Sequence, residues 1–108
     1  MLRIYAVLIE LVRDVSPLID EIGRRDPDLA RQARRALTSS PLNVAEGSYS
    51  RGRNRAARYH NGLGSLREAL ACLEVATALG YVAEVEPAMR RRFDHVLGSL
   101  VNLVGGHR

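Results

Sequence analysis

The chain has 108 residues, one cysteine and a formal net charge of +4. That is length enough for a single domain, residues 1–108, whose core needs neither disulfide nor metal. All 16 basic side chains are arginine, whose planar fork donates two parallel hydrogen bonds to a phosphate. No stretch approaches the roughly 20 uncharged apolar residues that span a bilayer. Glu10, Arg13 and Asp14 interrupt the apolar beginning where a signal peptide would stay uncharged, so a cytoplasmic protein with no membrane partner is expected.

The first segment runs from about Leu2 to Gly23. Ile4, Leu8, Leu11, Val15, Leu18 and Ile22 recur at helical spacing, flanked by Tyr5, Val12 and Ile19. Pro17 inside it predicts a kink, and Gly23 a stop. The second segment opens on Asp26-Pro27-Asp28: a capping acid, a proline at the first helical position, and a second acid favoured by the helix dipole. Leu29, Ala33, Ala36 or Leu37, Ser40 and Val44 form its inner face, Pro41 predicts a bend, and Gly47 is the expected end. Ser48 to Arg53 reads as a loop, with Ser50 or Asn54 capping the third helix.

The third segment, about Asn54 to Leu79, closes at Gly80 and carries two seams. A bulky one runs Tyr59, Leu63, Leu66, Leu70, Leu73; a small one runs Gly62, Ser65, Ala69, Cys72, Ala76. The remaining face, with Ala71, Val75 and Ala78, is also mostly apolar. A helix apolar nearly all round is either central or faces another subunit. Because one small bundle does not satisfy every such face, a homo-oligomer is predicted, with Cys72 as a buried filler. The fourth segment starts near Glu86-Pro87, repeats Met89, Phe93, Val96, Leu100 and Leu103, and ends at Gly105-Gly106. Four such segments with short connections predict an all-α fold class: an antiparallel up-down-up-down four-helix bundle.

Chemistry is sparse. None of His60, His95 or His107 has a glutamate three residues before it, as a di-iron bundle requires, and no two share a helix turn. No glycine-rich phosphate loop or nucleophile–base arrangement is present. The reading is a non-enzyme without metal or cofactor. Glu46 and Glu74 lie in small or apolar surroundings in the sequence and are expected to be substantially buried and hydrogen-bonded to arginine or to backbone donors. Breaking such a pair would cost roughly 3–5 kcal/mol. Two arginine groups stand out: Arg51, Arg53, Arg55 and Arg58 around the start of the third helix, and Arg31, Arg34 and Arg35 on the second. A solvated face is the plain reading of both; a phosphate-binding surface is the sharper one. Tyr49 and Tyr59 are the only interleaved aromatics, too few for a base-stacking platform.

Pro41-Leu42-Asn43-Val44-Ala45-Glu46-Gly47, then Gly64-Ser65-Leu66-Arg67-Glu68, then Leu73-Glu74-x-Ala76 leading to Leu79-Gly80-Tyr81-Val82, resemble the bacterial four-helix bundle proteins encoded in 23S rRNA intervening sequences. The similarity covers Leu29 to Val82 by motif, with Asn43, Glu46, Gly47, Gly64, Ser65, Glu68, Glu74, Gly80 and Tyr81 as the motif positions. That family is distantly similar to the accessory variability proteins of diversity-generating retroelements. The resemblance implies a homopentameric ring and a role in binding nucleic acid. The chain departs from the pattern at Leu70, where the family tends to carry a second acid, and in having no lysine. The expectation is a homo-oligomer that binds RNA or DNA through Arg31, Arg34, Arg35, Arg51, Arg53, Arg55 and Arg58 with little sequence preference. The alternative is a protein scaffold or accessory subunit, for example of a reverse transcriptase.

Overall fold

The four runs of helical periodicity become four helices in the computed structural model, which describes residues 2–105. These are α1 (Arg3–Gly23), α2 (Pro27–Ser48), α3 (Gly52–Ala78) and α4 (Pro87–Gly105). Each packs against the next, and α4 closes back onto α1. Cross-helix bonds fix the directions: Ser40 of α2 lies beside Gly62 of α3 while Gln32 reaches Glu68, so the two run antiparallel. Among the described residues there is no strand and no helix long and apolar enough to cross a membrane. Gly106, expected to share in ending the fourth helix, and His107 lie outside the described residues.

Local chemistry accounts for most boundaries. Asp26 accepts a hydrogen bond from the Leu29 backbone N–H at 3.0 Å, with Pro27 opening α2 behind it. At the end of α3, Gly80 takes a φ of 80°. Its N–H donates to the Thr77 carbonyl at 3.0 Å, and the Tyr81 N–H donates to that of Ala76 at 2.9 Å. This paired closure needs a residue free to adopt the left-handed region, and Tyr81 then packs against the core. Both internal prolines, Pro17 and Pro41, sit in continuous helix.

Two boundary expectations are corrected. The connection between α2 and α3 is only residues 49–51, because α2 continues through Ser48 and α3 starts at Gly52 with a φ of 56°. Neither Ser50 nor Asn54 caps α3. The Ser50 hydroxyl donates back to the Glu46 carbonyl at 2.9 Å, and Arg51 holds the cap position without a side-chain bond.

The core is built from one stripe each of α1, α2 and α4 and from two adjacent seams of α3. α1 contributes Leu8, Leu11, Val15, Ile19 and Ile22, and α4 contributes Phe93, Val96 and Leu100, all essentially sealed from solvent. Both seams of α3 are inside the same bundle. The bulky seam is buried, and so are Gly62, Ala69, Cys72 and Ala76 of the small one. The small seam brings α3 close to α2: a Cβ on Gly62 would sit 3.3 Å from the Ser40 carbonyl, and the Ser40 hydroxyl donates to the Gly62 carbonyl at 2.9 Å. One subunit therefore satisfies both seams, and neither of them calls for a second copy, contrary to the expectation from periodicity. What stays exposed is the third face of α3, Ala71, Val75 and Ala78.

Cys72 is the predicted filler. Burial pushes its thiol above the ordinary range, and the nearby Glu68 carboxylate adds to this.

Candidate nucleic-acid interface

The close approach of α2 and α3 leaves a polar groove along their outer seam. On α2, Arg35, Ser39, Asn43 and Glu46 recur at steps of four, four and three and share one face. On α3, Gly64, Ser65 and Glu68 face them. Ser65 Oγ donates to Ser39 Oγ at 3.0 Å, Asn43 Nδ2 donates to the Ser39 carbonyl at 2.9 Å, and Gln32 Nε2 donates to Glu68 Oε2 at 3.3 Å. The largest hollow of the groove, about 620 Å³, is lined by Arg31, Arg35, Ser39, Ser65 and Glu68. A second continues along Asn43 and Glu46 to Arg58.

The motif positions thus divide into two sets. Gly47, Gly80 and Tyr81 serve the fold; a Cβ on Gly47 would fall 2.5 Å from the Tyr59 ring, which lies buried against it. Asn43, Glu46, Gly64, Ser65 and Glu68 meet in the groove. Glu74 belongs to neither set. It lies on the far side of α3, where Arg90 of α4 approaches it at 3.0 Å.

The expectation that Glu46 and Glu74 are buried is corrected. Both are exposed; half of the Glu74 side chain is in solvent. The apolar residues around Glu74 in sequence include Ala71, Val75 and Ala78, which themselves face outward. Exposed alanines cost little, so an apolar run did not mean an apolar environment. Replacing Glu74 with alanine is then expected to cost the surface-pair value of about 0.2–1 kcal/mol in a thermal melt.

The arginines do not form a single patch. Arg34 turns to α1, donating to Asp20 at 2.8 Å and to Ser16 at 3.4 Å. Arg31 is paired with Asp28. By helical rise, Arg31 is about 25 Å from the end of α2. Arg51, Arg53, Arg55 and Arg58 cluster at the opposite end, all exposed. Only Arg35 and Arg58 connect the two groups, since both line the stretch of groove beside Glu46.

Among the described residues, Arg35, Arg51, Arg53, Arg55 and Arg58 have no carboxylate within 4 Å; Arg55 Nε donates instead to the Ser50 carbonyl at 2.9 Å. The first turn of α3 contains no acid and its cap position makes no side-chain bond. Arg51, Arg53 and Arg55 therefore stand at the positive end of the longest helix, where the macrodipole disfavours them, and Arg58 follows in the next turn. Sequence reasoning missed Ser39, Gln32, His60 and Asn61 as groove residues. The polar spacing of Arg35, Ser39, Asn43 and Glu46 was the signal available for the first of them.

The fold and groove together define an antiparallel four-helix bundle whose second and third helices carry a polar, arginine-flanked seam. The chain belongs to the 23S rRNA-intervening sequence protein family, whose model matches residues 1–100. It is also similar to a solved structure, a protein of unknown function from the S23 ribosomal protein family of Bacteroides thetaiotaomicron VPI-5482. The two share 14% identity and superpose with a TM-score of 0.82, covering 94% of this chain and 97% of the other. At that identity the likeness concerns the fold. No curated protein matches the chain.

Proposed function

We propose that this chain is a non-enzymatic, homo-oligomeric nucleic-acid-binding protein that holds RNA or DNA by arginine–phosphate contacts. The observation that carries the reading is the unpaired cluster of Arg51, Arg53, Arg55 and Arg58 at the uncapped start of α3. Like charges gathered at a helix N-terminus work against folding, and an anion relieves both the repulsion and the unsatisfied first-turn amides. Each guanidinium can grip a phosphate in two-pronged fashion, and the condensed cations it displaces make binding fall steeply with salt. A family described by its place in 23S rRNA agrees with a polyanionic partner.

Assembly multiplies the charge. The family resemblance favours a pentamer, and the exposed third face of α3, with Val75 and Leu79 about half in solvent, offers apolar area for contacts between copies. Light scattering is expected to give a multiple of 11.9 kDa. The same face is what favours the second reading, a scaffold for another protein such as a reverse transcriptase.

Gel-shift titration of one RNA and one DNA at two salt concentrations tests the leading reading. Arg53→Glu with Arg55→Glu is expected to weaken binding by well over ten-fold and to flatten the salt dependence. Arg67→Glu with Arg91→Glu, an equal change of charge away from the cluster, should do much less. Failure of the unaltered protein to bind either nucleic acid at low salt would leave the scaffold reading standing.

A further inference from the structure

We infer that the α2–α3 groove receives unstacked bases, so that the bound nucleic acid is single-stranded, and that bases carrying an exocyclic amino group are preferred there. The inference rests on the proposed nucleic-acid function and adds a role for residues which that function leaves unused.

It starts from Gly64. Glycine inside a helix is less stable than alanine, so what its missing side chain leaves room for is worth locating. At Gly47 it is the Tyr59 ring, and at Gly62 the Ser40 carbonyl. Gly64 and Gly98 of α4 have no such neighbour within the chain: each is exposed, in mid-helix, and a Cβ there would meet nothing within 4 Å, but of the two only Gly64 borders the α2–α3 groove. What its missing side chain leaves open is a hollow of the groove, bounded by Ser39, Asn43, Ser65 and Glu68. The open space above the backbone is room for something from outside.

The walls indicate what that is. Hydroxyls, the amides of Gln32, Asn43 and Asn61, the His60 ring and the carboxylates of Glu46 and Glu68 line the groove beside Arg35 and Arg58. A phosphate backbone laid along those carboxylates would be repelled. Bases suit them better, because a carboxylate accepts from the N4 amino group of cytosine, whereas uracil presents an O4 acceptor at that position. Axes of packed helices lie about 8–10 Å apart, so the furrow between two of them admits a flat base and not a duplex. Single strands are the form in which bases are free to be splayed into such a site. Arg58 belongs both to the α3 cluster and to the groove, so a strand gripped by Arg51, Arg53 and Arg55 passes into the groove beside it.

Fluorescence anisotropy on the full chain tests this with labelled oligocytidylate, oligouridylate and an RNA duplex at one low salt concentration. Oligocytidylate is expected to bind about ten-fold more tightly than oligouridylate, the size of one good base contact, and more tightly than the duplex. Deoxy oligomers should show the same preference for cytosine over thymine, and their strength relative to RNA identifies the sugar. Gly64→Leu fills the hollow while removing a helix-weakening glycine. It should melt no lower than the unaltered protein, keep its assembly mass and the steepness of its salt dependence, and lose affinity for oligocytidylate until the cytosine-to-uracil ratio is close to one.

Equal binding of all ligands by the unaltered protein, or an undiminished ratio in Gly64→Leu, overturns the inference while leaving phosphate binding intact. A fall in assembly mass on Gly64→Leu also overturns it, by showing that a second copy of the chain covers the groove. Absence of any binding by the unaltered protein removes the proposed function itself.

Discussion

The starts of α2 and α3 pose the same physical problem and answer it in opposite ways. Both are helix N-termini with unsatisfied amides and a positive dipole end. At α2, Asp26 accepts from the Leu29 N–H at 3.0 Å, proline opens the helix and Asp28 adds a negative charge in the first turn. At α3 the cap position is Arg51, whose side chain makes no capping bond; Gly52 comes next with a φ of 56°, and Arg53 and Arg55 stand where acids would be favoured. One end is closed by the chain's own groups, and the other is left open and positively charged. Elsewhere some arginines are engaged across helices, as where Arg92 donates to Asp14 at 2.8 Å and Arg90 meets Glu74 at 3.0 Å. What distinguishes the start of α3 is that its open amides are joined by a cluster of arginines without carboxylate partners, a combination an anion from outside would satisfy.

The first way to sharpen the contrast is to remove the internal solution. Asp26→Ala deletes the α2 cap and is expected to lower stability by about 0.5–2 kcal/mol. Nucleic-acid affinity should be unchanged, because Asp26 lies at the end of the bundle away from the arginine cluster. Urea unfolding and gel shifts on one preparation measure both. A loss of stability near zero would mean that α2 is held by packing alone and that its cap is no standard for judging α3.

The same contrast explains which parts of the structure are legible in the sequence. The start of α2 is readable because its signal is local: three adjacent residues whose types satisfy a helix end. The start of α3 is not, because the sequence offers two plausible capping residues and neither caps; the hydroxyl of Ser50 serves the end of α2 instead. Periodicity assigns the faces of α3 correctly but not their neighbours. The small seam reads like a surface for another subunit, and it is occupied by α2 at the distance that Gly62 and Ser40 allow. The apolar neighbours of Glu74 in sequence suggest an interior position, yet helical spacing puts it with the outward alanines. Of the expected binding residues, Arg35 and Arg58 converge and Arg34 is engaged by Asp20, a distinction that depends on cross-helix register. The groove itself is visible in the sequence only in halves, as two polar faces in separate segments.

The second way is to give α3 the closure it lacks. Arg51 already has the extended backbone of a cap residue, with φ −133° and ψ 155°, so Arg51→Asp places a carboxylate where the amides of the first turn can reach it. Its interaction with the helix dipole and its weakening of repulsion among Arg53, Arg55 and Arg58 act in the same direction. The expected gain is about 0.3–1 kcal/mol, largest at low ionic strength and reduced by salt. Nucleic-acid binding should weaken in the same variant, because the carboxylate occupies the amides and opposes an incoming phosphate. A protein made more stable and less able to bind by one substitution would locate the conflict between folding and function at this helix end. If Arg51→Asp instead destabilised the chain, the open end of α3 would be a requirement of the fold, and the contrast with α2 would carry no functional meaning.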